Sequence, residues 1–252
     1  MTDRWRILAN LATLANALLG VGAILYVLAG NPIWAMLLIV MAIGCDGLDG
    51  ILSRRSHAPP AAFGRVADSI ADAVTFGLAP AVLVAVHTAN LGAWQPWSTV
   101  ALAVAALYAA TAFARLAYFT TRGFQRPYFL GIPSPQAALA VVVALLFHDT
   151  PAFQSVQPIG VLLGVTVIAI LMVSPIPYPK IHRGSPLRGP MAATAVAAAL
   201  ALVPLQFRPP AGSFLYDLAY AAAFAMLIGV ASYYVAGPFT VPRADRAPVP
   251  SA

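Results

Sequence analysis

Four aspartates, Asp46, Asp49, Asp68 and Asp72, lie close together in surroundings that are otherwise apolar, and the chain's eight acidic residues include no glutamate. An ionised aspartate at the centre of a membrane helix costs about 2.5–3.5 kcal/mol on insertion scales. Four together need positive charge among them. Asp46 and Asp49 are spaced i and i+3, and Asp68 and Asp72 i and i+4, so on helices each pair shares one face. Four carboxylates from two helices form a hard, all-oxygen ligand set suited to Mg²⁺ or Mn²⁺, and two divalent ions would balance the four charges.

The same faces carry further chemistry. Gly50 lies four residues after Asp46 and Arg54 four after Gly50; Gly64 lies four before Asp68. A glycine lets a ligand approach the backbone, and a guanidinium offers a fork to phosphate. Metals, an arginine and two glycines at a membrane boundary suit a diphosphate whose lipid end stays in the bilayer. Two-metal sites stabilise charge on the attacking and leaving oxygens of a phosphoryl displacement.

The elements that must position these residues are membrane helices. The 252 residues are 61% hydrophobic and 9% charged, with a mean hydropathy of +0.83, whereas a soluble domain carries about 25% charged residues. Apolar runs at roughly 8–29, 33–53, 64–89, 97–120, 133–148, 158–175, 189–206 and 214–236 approach the about 20 residues that a span requires. The expectation is an all-α integral membrane protein of about eight transmembrane helices, forming one domain over 1–236. A disordered cytoplasmic tail follows over 237–252.

With the N-terminus inside, the inner loops receive Arg54, Arg55, Arg65, Arg122, Arg126, Lys180, Arg183 and Arg188, while the outer side receives only Arg208. Both termini are therefore placed in the cytoplasm, and the aspartates at the cytoplasmic side of the cell (inner) membrane. The basic N-terminal start is read as a retained helix, because no small-residue cleavage site follows it. Although the pI is near 9.8, the basic residues sit in short loops and form no stripe, which argues against nucleic acid as a partner. The single cysteine, Cys45, excludes a disulfide framework.

A cation transporter is the rival from another class, since intramembrane acids also mark ion paths. Broken helices and polar residues spread through the membrane depth would favour it. Here the polar residues gather at the inner side.

The stretch DGLDGILSR from Asp46 to Arg54, with GRVADSIAD from Gly64 to Asp72, resembles the CDP-alcohol phosphotransferase signature D-x2-D-G-x2-A-R-x8-G-x3-D-x3-D. Two departures exist: Ser53 replaces the alanine, and nine residues instead of eight separate Arg54 from Gly64. The resemblance implies transfer of a phosphatidyl group from a CDP-linked lipid to a small alcohol, with CMP leaving. It implies that Asp46, Asp49, Asp68 and Asp72 hold the metals, that Gly50, Ser53, Arg54 and Gly64 line the nucleotide site, and that Asp72 is also the general base. A homodimer is implied as well.

Further stretches resemble the phosphatidylserine synthase branch of that family: TLAN from Thr13 to Asn16, DSIADAVTFGLAP from Asp68 to Pro80, YFLGIPSP from Tyr128 to Pro135 and LMVSPIPY from Leu171 to Tyr178. The expected acceptor is L-serine, with Ser134 and Arg122 or Arg126 binding its carboxylate. The same chemistry with glycerol 3-phosphate or inositol phosphate stays open. Either would need two or three cations near Asp72, for which Arg65, Arg115 and Arg122 are available. The histidines have no ligand spacing and are expected to be solvated or interfacial. Gly160 and Gly164 form a small-xxx-small pair suited to helix packing.

Overall fold

The computed structural model describes residues 4–55, 62–90, 97–122, 128–148, 158–180 and 188–241. Helix α1 (Arg4–Leu28) and helix α2 (Pro32–Ser53) form an antiparallel hairpin. Gly30 takes the turn with φ of 77°, and Pro32 opens α2 at a position where its missing N–H costs nothing.

The third span begins as α3 (Ala62–Asp72), passes through a π-helical stretch at Ala73–Leu78 and continues as α4 (Ala79–Asn90). A π turn widens the helix by one residue and disturbs its hydrogen-bond ladder. Hydrogen bonds tie it to the neighbouring helices: the Tyr108 hydroxyl donates to the Phe76 carbonyl at 2.9 Å, and its own Thr75 hydroxyl donates to the Asn16 carbonyl at 2.9 Å. Gly20 presses directly against Thr75, and any side chain there would displace the π turn.

Helix α5 (Ser98–Arg122) leads to strand β1 (Tyr128–Leu130), helix α6 (Ser134–His148), helix α7 (Pro158–Met172) and strand β2 (Pro177–Pro179). The strands pair antiparallel, Phe129 opposite Tyr178. This small sheet is an addition to the all-helical expectation. Pro133 ends the approach to α6, and Gly131, at φ of 69°, lies against the Met172 carbonyl, where only glycine fits. Helix α8 (Arg188–Leu205) and helix α9 (Phe214–Thr240) complete the bundle, with the Ser213 side chain capping α9 by accepting from the Tyr216 N–H at 3.3 Å. The last helix thus runs to Thr240, past 236, while 242–252 lie outside the described residues.

All eight expected spans correspond to helical rods. Among the described residues, five are long and apolar enough to cross a membrane by length and composition, including Arg4–Leu28, Val66–Thr88 and Phe214–Thr240. Three are shorter: Ser134–Phe147, Ile159–Met172 and Gly189–Leu205. Helices α6 and α7 have 15 residues each. At about 1.5 Å per residue they rise about 22 Å, short of the about 30 Å of hydrocarbon. Beside the β1–β2 pairing, Gly131 N–H donates to Ile176 O at 2.9 Å and Ile132 N–H to Leu171 O at 3.1 Å, so backbone groups are paired where α6 begins and α7 ends.

Residues Ala137 to Val143 of α6 are all buried, so this helix is enclosed by the others. Leu18, Leu25, Ile228 and Val235 point outward as a lipid-facing surface does. His87, expected at an interface, is buried instead, 8% exposed.

Candidate active site

The last turns of α2 carry Asp46 and Asp49, and α3 carries Asp68 and Asp72. Asp46, Asp68 and Asp72, all half-buried, each offer an oxygen within 4.8 Å of the other two. An octahedral Mg²⁺ with bonds of about 2.1 Å places its ligand oxygens at most about 4.2 Å apart. This carboxylate group therefore fits a hard divalent cation with modest rotamer adjustment.

Asp49 stands slightly aside. Its carboxylate accepts from the Thr13 hydroxyl and lies beside Asp68. Three residues further along α1, the Asn16 side-chain N–H donates to Asp72 at 3.0 Å. Helix α1 thus sends Thr13 and Asn16 from one face to the two acid-bearing helices, while Thr75 holds the Asn16 carbonyl. TLAN carried a resemblance in the sequence, yet no spacing rule tied it to the aspartates.

Above the acids lies Arg115, buried on α5 at 8% exposure. It interacts electrostatically with Asp72 and Asp46. Its Nη1 donates to the hydroxyl of Ser134, fully buried at the start of α6, at 2.8 Å. The guanidinium also rests on Phe119 and Phe129, at 5.8 and 5.7 Å from the ring centroids. Lys180 meets the same two rings at 5.9 and 5.3 Å. Burial holds the Lys180 ammonium below the ordinary lysine pKa. The described partner of Ser134 is thus Arg115. The Arg122 side chain and Arg126 lie outside the described residues.

The remaining nucleotide-side candidates sit where α2 ends and α3 begins. Arg54 follows the end of α2, with its Nη1 3.5 Å from where a Cβ on Gly50 would be. Ser53 donates to the Gly50 carbonyl at 3.4 Å. A Cβ on Gly64 would meet nothing within 4 Å, which leaves open room on that face. Ser69 and Thr120 are 3.0 Å apart and link α3 to α5.

Fold and site together define a multi-pass membrane protein with a carboxylate centre able to hold a divalent metal. The family model for CDP-alcohol phosphatidyltransferase matches residues 6–174. The chain belongs to that family, and it is a transferase. Among its relatives, a CDP-diacylglycerol–serine O-phosphatidyltransferase of Helicobacter pylori is 33% identical over 178 residues, covering 69% of this chain and 72% of the relative. One from Mycobacterium tuberculosis is 34% identical over 206 residues, covering 78% of this chain and 68% of the relative. An archaetidylserine synthase of Methanothermobacter thermautotrophicus is 28% identical over 175 residues, covering 69% and 70% respectively.

Proposed function

We propose that the protein transfers the phosphatidyl group of CDP-diacylglycerol to the hydroxyl of L-serine and releases CMP, at the cytoplasmic side of the inner membrane and as a homodimer. The observation that carries this reading is the buried Arg115–Ser134 pair beside Asp72. A guanidinium with an adjacent hydroxyl is matched to a carboxylate, the group that serine has and a simple polyol lacks. The names of the relatives point to the same acceptor.

The proposed roles follow from placement. Asp46, Asp49, Asp68 and Asp72 hold two divalent ions, Mg²⁺ or Mn²⁺, which when bound supply Lewis-acid stabilisation of charge on the diphosphate. Arg54 and the backbone at Gly50 and Gly64, with Ser53, receive the CDP moiety. Asp72 accepts the proton of the serine hydroxyl as the serine oxygen bonds to the lipid phosphorus and the phosphorus–oxygen bond to CMP breaks. A metal-facing carboxylate is a weak base, so its placement against the hydroxyl matters more than its basicity. The bond from Asn16 fixes one Asp72 oxygen and leaves the other for this task.

The test is CMP release by the purified protein given CDP-diacylglycerol and Mn²⁺, with serine, glycerol 3-phosphate and inositol phosphate supplied in turn. Release with serine alone is expected. Release only with a phosphorylated acceptor would transfer the assignment to that acceptor, and release with none would remove the transferase reading of this site.

A further inference from the structure

Among the described residues, two buried side-chain atoms have no hydrogen-bond partner: Asn16 Oδ1 and Arg115 Nε. Both belong to side chains that engage Asp72, Asn16 through its 3.0 Å hydrogen bond and Arg115 through charge. They come from α1 and α5, which both pack against the α3 helix that carries Asp72. Polar groups this deeply buried are nearly always paired, so an orphan beside a reactive carboxylate points to a missing ligand.

The two orphans differ in kind. Asn16 Oδ1 is an acceptor and needs an N–H or O–H. Arg115 Nε is a donor and needs a lone pair. The Asn16 amide cannot be reversed without turning Oδ1 against the Asp72 carboxylate, so the orientation is set by that neighbour. An acceptor and a donor flanking the proposed base complement a zwitterion.

We propose that Asn16 is a specificity residue for the α-ammonium of an amino-acid acceptor, while Arg115 Nε, with Ser134, takes its α-carboxylate. The pair together present the side-chain hydroxyl to Asp72. Asn16 thereby has two duties, holding Asp72 through Nδ2 and reading the substrate through Oδ1. A phosphorylated polyol has no ammonium for that oxygen. This inference rests on the serine reading above.

The experiment compares L-serine with 3-hydroxypropionate, which keeps the hydroxyl and carboxylate and lacks the ammonium, in the full-length protein and in Asn16→Ala. Wild type should favour serine by about 30-fold in kcat/KM. In Asn16→Ala that ratio should collapse to within about threefold of unity, while kcat falls for both acceptors because Asp72 is less firmly held. An unchanged ratio with a lower kcat would mean that Asn16 serves only Asp72, and would overturn the proposal while leaving the serine reading intact. Failure of wild type to use serine at all would overturn both.

Should Asn16→Ala abolish turnover, the rise in unfolding temperature on adding each compound to the CMP-bound protein gives the same comparison. Serine should stabilise wild type more than 3-hydroxypropionate does and lose that advantage in the variant. Retention of the advantage would overturn the proposal. Arg115→Lys keeps the charge but removes Nε, and should raise the serine KM about tenfold with the CDP-diacylglycerol KM unchanged. An unchanged serine KM would contradict the carboxylate half.

Discussion

The side chain of Asn16 donates to Asp72 at 3.0 Å across 56 positions of sequence, joining the first helix to the helix that carries the proposed base. Three residues earlier Thr13 does the same for Asp49. The first span therefore acts as a brace for the acidic centre as well as a membrane anchor. Outer partners of metal-binding carboxylates set their orientation, and losing one typically weakens metal affinity or activity by about 10- to 100-fold.

Thr13→Val removes the hydroxyl that orients Asp49 and keeps the side-chain volume. We expect Mn²⁺ affinity, followed by titration of the bound-ion signal in the purified protein, to fall about tenfold. The unfolding temperature without metal should change little, since Thr13 is only partly buried.

Asp72→Asn keeps the shape of the side chain and removes its capacity as a base. Turnover should fall by about 10²- to 10⁴-fold, the usual worth of a positioned general base. The KM for CDP-diacylglycerol should change far less. Asp46→Asn, by contrast, should respond to added Mn²⁺, because its proposed role is ligation alone.

Two glycines separate fold from function. Gly131 combines φ of 69° with contact to the Met172 carbonyl, so Gly131→Ala should destabilise the protein by more than about 1 kcal/mol, read as a drop in unfolding temperature. Gly64 has open space around it. Gly64→Ala should leave the unfolding temperature unchanged and raise the CDP-diacylglycerol KM several-fold.

Lys180 makes a pH-dependent contribution. Burial lowers its folded pKa below the ordinary lysine value, so its charge is lost at a lower pH in the folded protein than in the unfolded chain. In that window the unfolded chain binds more protons, and stability rises with pH. Lys180→Arg keeps its charge through that window, so the alkaline gain in stability, read as unfolding temperature against pH, should disappear.

The metal side of the site was legible because its residues sit at helical spacings within single helices: Asp46 with Asp49 and Gly50, Asp68 with Asp72 and Gly64. The partners of those residues come from other spans. Arg115 meets Ser134 across 19 positions of sequence, and periodicity says nothing about such meetings. Arg115 was read as one available cation among several, while Arg122 and Arg126 were preferred because they lay in an inner loop. Burial places Arg115 against the acids, while the Arg122 side chain and Arg126 lie outside the described residues.

Local conformation was harder still. Around Phe76 and Gly77 the chain inserts a π turn held by Tyr108 and Thr75, which no helical periodicity signals. In the run at 175–179 proline cannot donate to a ladder. The run nevertheless forms a short strand in which Pro177 and Pro179 flank the pairing residue Tyr178. His87 shows the same limit, since a titratable side chain near a helix end looks exposed until the neighbouring helices are in place.

The most direct test of the central claim is incorporation of labelled L-serine into lipid by the purified protein supplied with CDP-diacylglycerol, with and without Mn²⁺. A chloroform-soluble serine lipid should form one-for-one with CMP, dependent on the metal and reduced at least about 10²-fold by Asp72→Asn. Labelled lipid formed equally well by Asp72→Asn, or CMP released with no label entering lipid, would contradict that claim.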